Sequence, residues 1–173
     1  GLAGLPDEDL AADLYETTLE ICAHHGLDAY EVSNFARSGA ECRHNLTYWR
    51  GGDYAGVGPG AHGRLTLDPG RVAIEQPAQP AEWLVAAEAG AATKYSDLSM
   101  EDQLVEYVLM SLRKRDGLHL ATLERLEPVP GRLRARAAPL REEGLLREAD
   151  GRLAATVQGR LLLDSVTAAL LDG

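Results

Sequence analysis

The sequence predicts an α/β fold in two parts: a few barrel- or sheet-forming strands with a helix in front, then a mostly helical, winged-helix-like module. Three observations carry this. A helical repeat of apolar residues is followed by two short alternating runs, Asp28 to Ser33 and Tyr54 to Pro59, the helix–strand rhythm of an α/β barrel or doubly wound sheet. A glycine-dense stretch, Gly51 to Gly63, encloses the second run and its carboxyl end, where α/β folds place small-molecule sites. From Ser99 onward the pattern changes to capped amphipathic helices, a turn at Asp150-Gly151 and a last helix, the order of a winged helix.

Taken in order, Leu10, Leu14, Thr17, Ile21 and Cys22 fall near one face of a helix from Asp7 to His25. Pro6 and the acids Asp7, Glu8 and Asp9 suit its start, and Gly26 stops it. The strand Asp28 to Ser33 leads into a loop through Cys42 to Trp49, then the strand Tyr54 to Pro59. Two strands cannot close a barrel, so both are expected in a larger parallel sheet completed by a missing amino-terminal portion or by a partner. Leu65 to Leu67 and Arg71 to Ile74, flanking Asp68-Pro69-Gly70, read as a hairpin. Pro77 and Pro80 lead into a helix near Ala81 to Gly90. Ser99 with Asp102 reads as a capping box for a helix through Leu112. Helices over Leu120 to Glu127 and Arg132 to Glu143, strands Leu145 to Glu148 and Arg152 to Ala154, and a helix Thr156 to Leu171 complete the chain. The boundaries are 1–66 for the partial barrel, 67–98 for hairpin and linker helix, and 99–173 for the winged-helix-like domain.

The formal net charge of -10 argues against general nucleic-acid binding, which needs a basic surface. The excess lies early, since residues 97–173 hold eleven Lys or Arg against thirteen Asp or Glu. No apolar run approaches the roughly twenty residues that span a bilayer, and no signal peptide is visible. Cys22 and Cys42 are the only cysteines, which suits a reducing cytoplasm. Both read as small buried hydrophobes, and Trp49 as a core anchor beside the strand.

The chemistry concentrates in CRHNLTYWRGGDYAGVGPGAHG, residues 42–63. It joins the potential ligands Cys42, His44 and Tyr48 to six glycines, which let backbone approach a ligand closely. A neutral imidazole is a competent axial ligand for heme iron. The GVGPGAHG run has GxGxxG-like spacing, a weak nucleotide signal alone, and Pro59 removes the helix start a pyrophosphate site requires. A tight corner that needs glycines is the alternative.

YEVSNFAR (30–37), CRHNLTYWRGGDY (42–54) and GVGPGAHGRL (56–65) resemble the carboxyl-terminal portion of radical S-adenosylmethionine (SAM) proteins of the oxygen-independent coproporphyrinogen III oxidase-like family. The pattern HNxxYW, here His44 to Trp49, resembles the mark of the family's heme chaperone branch, and GLLREADGRLAATVQGRLLLDSV (144–166) resembles the end of its C-terminal domain. The resemblance implies the last part of a radical-SAM (β/α) barrel, and a protein that binds heme and passes it to an apo-hemoprotein acceptor in the cytoplasm. It implies heme binding through His44, Asn45 and Tyr48, with Tyr48 as second ligand, hydrogen-bond donor or ring against porphyrin, and Asn45 fixing the loop. It further implies a SAM wall at Gly58, Ala61 and His62. Glu31 and Asn34 are placed by their strand end toward the same cavity.

The alternative activity is oxidative decarboxylation of coproporphyrinogen III propionates through a 5′-deoxyadenosyl radical. The family's radical chemistry needs a CxxxCxxC motif for a [4Fe-4S] cluster, and two cysteines twenty positions apart cannot supply it. The chain alone is therefore expected to hold no cluster metal and to be inactive in radical chemistry. A third reading is a DNA- or protein-binding winged helix, because Arg132, Arg134, Arg136 and Arg141 cluster on one predicted helix. Nearby Glu142, Glu143 and Glu148 oppose it, and a lid or protein-docking surface is the expectation for that domain.

Overall fold

The computed structural model describes residues 6–68 and 70–171. Helix α1 (Glu8–His24) starts where the Asp7 carboxylate accepts from the Leu10 N–H at 2.9 Å, satisfying one of the donors a helix start leaves free. It ends at Gly26, whose φ of +70° is left-handed. Strand β1 (Asp28–Glu31) then reverses into β2 (Asn34–Ala36), and the two pair antiparallel. This corrects the expectation of one continuous strand from Asp28 to Ser33. Glu31 accepts from the Ser33 N–H at 2.9 Å and from the Asn34 amide at 2.8 Å, and these bonds turn the chain where the strand was expected to continue.

Helix α2 (Arg43–Trp49) occupies the segment expected as a loop. Seven residues form no stable helix alone, and α2 is held by docking: Ser111 donates to the Trp49 carbonyl at 3.1 Å. The expected strand from Tyr54 to Pro59 is reduced to a bridge, in which Tyr54 and Arg64 exchange two backbone hydrogen bonds of 2.8 Å. Beyond it Gly58 takes φ +106° and Pro59 lacks a donor, so no ladder propagates. Strands β3 (His62–Thr66) and β4 (Arg71–Glu75) form the expected hairpin. After α3 (Pro80–Glu88), β5 (Lys94–Asp97) adds antiparallel to β4; its sequence KYSD gave no strand signal.

Helix α4 (Met100–Ser111) carries the expected capping box, with reciprocal 3.1 Å bonds between Ser99 and Asp102. There follow β6 (Leu118–His119), α5 (Leu120–Leu126), α6 (Arg132–Glu142), β7 (Leu146–Ala149), β8 (Arg152–Ala155), α7 (Val157–Leu161) and α8 (Leu163–Leu171). The last helix is therefore broken at Leu162, and β6 joins the β7–β8 hairpin as an unexpected third strand in the order β6-β8-β7. All strand pairs among the described residues are antiparallel.

The core is built from α4 onward. Leu104, Val108, Leu112, Leu118, Leu133, Leu153, Val166 and Leu170 are all at most 2% exposed and form one cluster. By contrast Leu10, Leu14 and Ile21 on α1 remain 49%, 52% and 55% exposed. The first third thus lies against a well-filled helical unit without contributing to its core.

Candidate functional site

One turn of α2 brings His44 and Tyr48 together, as side chains four residues apart on a helix meet. The Tyr48 hydroxyl lies 2.7 Å from His44 Nε2. Their rings meet edge to face at a centroid distance of 4.6 Å, and Tyr48 meets Tyr54 in the same way at 4.3 Å. His44 is exposed and Tyr48 and Tyr54 are half-buried, so three rings run from the surface inward. Edge-to-face pairing is favoured by the ring quadrupoles.

Asn45 is turned away from this ladder and donates to Asn34 Oδ1 at 3.4 Å. Asn34 donates in turn to Glu31, which is fully buried. The second Glu31 oxygen faces the Arg113 guanidinium as an ion pair. Glu31 and Asn34 thus form the support beneath α2. Trp49 is half-buried with its ring 5.9 Å from that of Tyr30. Cys42 corrects an expectation: it is exposed at the helix N-cap, where its N–H donates to Tyr30 Oη at 3.3 Å. Cys22 is half-buried on α1, whose apolar side is largely open.

The glycine run is shaped first by backbone contact. A Cβ on Gly56 would stand 2.3 Å from the His62 carbonyl oxygen, and one on Gly63 would stand 2.9 Å from that of Tyr54. Gly58 lines a cavity of about 400 Å³ with Gly56, Ile74, Trp83 and Tyr95. Ala61 and His62 are not among its lining residues. Ala61 bonds to Gly58 and Gln76 through its backbone, and exposed His62 begins β3 opposite Glu75.

A second cavity, of about 200 Å³, opens where the ring ladder ends, walled by Tyr48, Arg50, Tyr54, Arg64, Glu106 and Arg125 among others. Arg64 forks onto Glu106, with Nε 2.9 and 3.0 Å from the two carboxylate oxygens, and this pairing holds the guanidinium firmly charged. Arg71, also on the wall, meets Asp53 at 3.1 Å and the Gly52 carbonyl at 3.0 Å. The Asp53 carboxyl is held below its usual range, chiefly by the Thr66 N–H and then by the Thr66 hydroxyl and Arg71. Tyr54 is pushed above the usual phenol value by burial. Sequence reasoning missed this cavity, because Arg50 and Arg125 reach one opening only through the packing of both α2 and α5 against α4.

The HemN C-terminal domain family matches residues 98–162. The chain is 39% identical over 171 residues to the heme chaperone HemW of Mycobacterium tuberculosis, covering 99% of this chain and 42% of that protein. It is 34% identical over 184 residues to the mitochondrial radical S-adenosyl methionine domain-containing protein 1 of Bos taurus, covering 99% of this chain and 41% of the relative. Over nearly its whole length this chain is similar to part of the HemW- and HemN-like radical SAM proteins, and residues 98–162 belong to the HemN C-terminal domain family. Its fold matches the structure of coproporphyrinogen III oxidase (HemN) from Escherichia coli, a radical SAM enzyme, with a TM-score of 0.70 at 19% identity over 98% of this chain and 43% of that one. The chain spans about two fifths of the length of these relatives.

Within this HemW- and HemN-like chain, the residues do not fit the family's iron-sulfur cluster. Both cysteines are free, on α1 and at the start of α2, and no group of three His, Cys, Asp or Glu side chains among the described residues can hold a metal. No step through a cluster is assigned to them. A heme asks less of the protein, since a single imidazole with aromatic surroundings serves as an axial ligand, and His44 offers that. The basic helix α6 is committed elsewhere: Arg132 pairs with Glu101, Arg134 with Glu124 and Glu148, and Arg141 with Glu148. Arg136 donates to the carbonyls of Leu170 and Leu171. Arginines tied to carboxylates and carbonyls leave little for a phosphate backbone. No helix among the described residues is long and apolar enough to cross a membrane.

Proposed function

We propose that this chain is the heme-handling part of a heme chaperone, which binds heme on the outer face of α2 and passes it to an apo-hemoprotein. The observation that carries the reading is the ladder His44, Tyr48 and Tyr54. An exposed imidazole is held in orientation by a hydroxyl at 2.7 Å and backed by two rings that can face a porphyrin. Heme would supply the iron, and the chain's part is to hold one ligand nitrogen outward. Asn45 contributes by fixing α2 through Asn34. An exposed, shallow site suits a carrier that must also release its cargo.

The SAM wall is proposed at Gly58 with Ala61 and His62. Its support is the open space at Gly58, where a Cβ would meet nothing within 4 Å, beside Trp83 and Tyr95. A winged-helix-like role for residues 99–173 as a lid is supported by the β7–β8 hairpin that follows α4, α5 and α6, and two free cysteines suit a cytoplasmic setting. Coproporphyrinogen III oxidation is the alternative, supported by the likeness in fold to HemN.

The test is a heme titration of the chain followed by absorbance. Saturable 1:1 uptake, weakened at least tenfold in His44→Ala with the fold intact, is the expected result. Uptake indifferent to His44→Ala would remove the α2 site.

A further inference from the structure

The cavity at the inner end of the ring ladder has a charge out of keeping with the chain. The protein carries a formal net charge of -10, yet this wall holds Arg50, Arg64, Arg71 and Arg125 against Glu106 as its one acid. Two of the four arginines are satisfied, Arg64 by Glu106 and Arg71 by Asp53. Glu106 is spent on Arg64. Arg50 and Arg125 have no acid or carbonyl partner among the described residues and are both exposed at the cavity rim.

Arg50 follows Trp49 at the C-cap of α2, and Arg125 lies in the last turn of α5. They come from elements 75 positions apart in sequence and share one small opening. Tyr48 belongs both to the ladder and to this wall, so the opening is continuous with the His44 face. Six residues of helix advance about 9 Å, which separates the His44 backbone from that of Arg50 on the scale of a macrocycle. Planar guanidinium forks match carboxylates bidentately and stay charged at any physiological pH.

We infer that Arg50 and Arg125 form a carboxylate-binding site for the propionate side chains of the porphyrin whose face lies on His44 and Tyr48. This rests on the heme reading above and adds where the ligand's charged edge goes. It also gives the direction of loading: ring edge with carboxylates toward the cavity, opposite edge to solvent, where an acceptor can take it.

The test separates the two claims. Metal-free protoporphyrin IX and its dimethyl ester are titrated, by porphyrin fluorescence, into the native chain, Arg50→Gln, Arg125→Gln and the double variant. Arg37→Gln, an exposed arginine outside this wall, is the charge control. The native chain should prefer the free diacid over the ester by roughly tenfold or more, as a charge-assisted hydrogen bond is worth. The preference should shrink in each single variant and vanish in the double one, while ester affinity and the Arg37→Gln preference stay unchanged. Thermal melts of these surface variants should match the native chain. Equal binding of diacid and ester to the native chain, or a preference that survives the double substitution, overturns the inference. Ferric heme titrated in parallel reports on the other claim. Heme uptake that depends on His44 but not on esterification leaves the heme reading standing and removes only the propionate site. Failure of both heme and porphyrin to bind removes both.

Discussion

Asn34 donates its side-chain amide to the buried carboxylate of Glu31 at 2.8 Å and accepts from Asn45 at 3.4 Å. Two sequence motifs, YEVSNFAR and HNLTYW, are thereby joined by a side-chain amide that is itself anchored on a carboxylate with no access to solvent. Arg113, just past the end of α4, faces the same carboxylate. Neighbouring residues of the HNLTYW helix thus serve different ends, since His44 faces out and Asn45 anchors the helix to the β1–β2 turn.

That arrangement predicts the cost of Glu31→Gln. Neutralising the carboxylate weakens its bonds to Ser33 and Asn34 and leaves Arg113 without its partner, and hydrogen bonds to charged groups contribute about 1.5–3 kcal/mol each. Urea denaturation should show a loss of about 1–3 kcal/mol, with Asn34→Ala smaller and in the same direction. A change under about 0.5 kcal/mol in both variants, the range of ordinary surface substitutions, would show that the junction carries no stability.

Tyr48→Phe keeps the ring ladder and removes only the hydroxyl at His44 Nε2. If Tyr48 accepts from an Nε2–H, Nδ1 is left as the nitrogen for iron, and a partner that orients a ligating imidazole is worth roughly 10–100-fold in metal affinity. Heme affinity should therefore fall roughly tenfold in Tyr48→Phe, less than in His44→Ala. Tighter heme binding in Tyr48→Phe would mean that Nε2 is the ligating nitrogen and Tyr48 its competitor.

Lys114 gives a prediction in pH. Its side chain is 4% exposed and meets Asp116 at 3.3 Å. Burial lowers its pKa from the ordinary 10.5, which Asp116 only partly opposes. With the folded pKa below the unfolded one, the unfolded chain holds more protons in the window beneath 10.5, and stability rises with pH there. Lys114→Met should be neutral or stabilising at pH 7, and its advantage over the native chain should shrink as pH climbs through that window. Asp116→Asn should destabilise, because it leaves a buried ammonium without its acid. Chemical denaturation from neutral to alkaline pH checks both, and a native–variant difference that does not move with pH would reject the burial argument.

Much of this was legible in the chain, and the failures share a cause. Helices α1 and α4 carry their own caps, at Asp7 and Ser99, so local chemistry announces them. The His44–Tyr48 pair is legible from a spacing of four once α2 is known to be helical. The helix itself was hidden because HNLTYW is polar and short, and its stability comes from Trp49 and Ser111 meeting across 62 positions. Tyr54 to Pro59 alternates like a strand, yet Gly56 serves a close backbone approach to His62 and Gly58 a left-handed turn rather than a ladder. Arg125 offered no signal. Nothing in a linear pattern says that the end of α5 comes to face the end of α2.

Stability should be spread unevenly along the chain. The strands before α3 pair among the described residues as small antiparallel hairpins, which are marginal on their own, and α1 keeps Leu10, Leu14 and Ile21 about half-exposed. The core cluster, by contrast, runs from Leu104 to Leu170. Amide hydrogens open with free energies that follow buried apolar contact. Hydrogen exchange of the isolated chain should therefore show strong protection in α4, α5, α6 and α8, intermediate protection in the β3–β4 pair around buried Ala73 and Ile74, and the weakest in α1. The apolar side of α1 should bind an environment-sensitive hydrophobic dye or promote self-association, since a stripe of half-exposed leucine and isoleucine is poorly suited to water. Protection in α1 equal to that of α4 in a monomer would show that α1 is held by contacts other than apolar burial. The division into a stable helical unit and a loosely held first third would then be wrong.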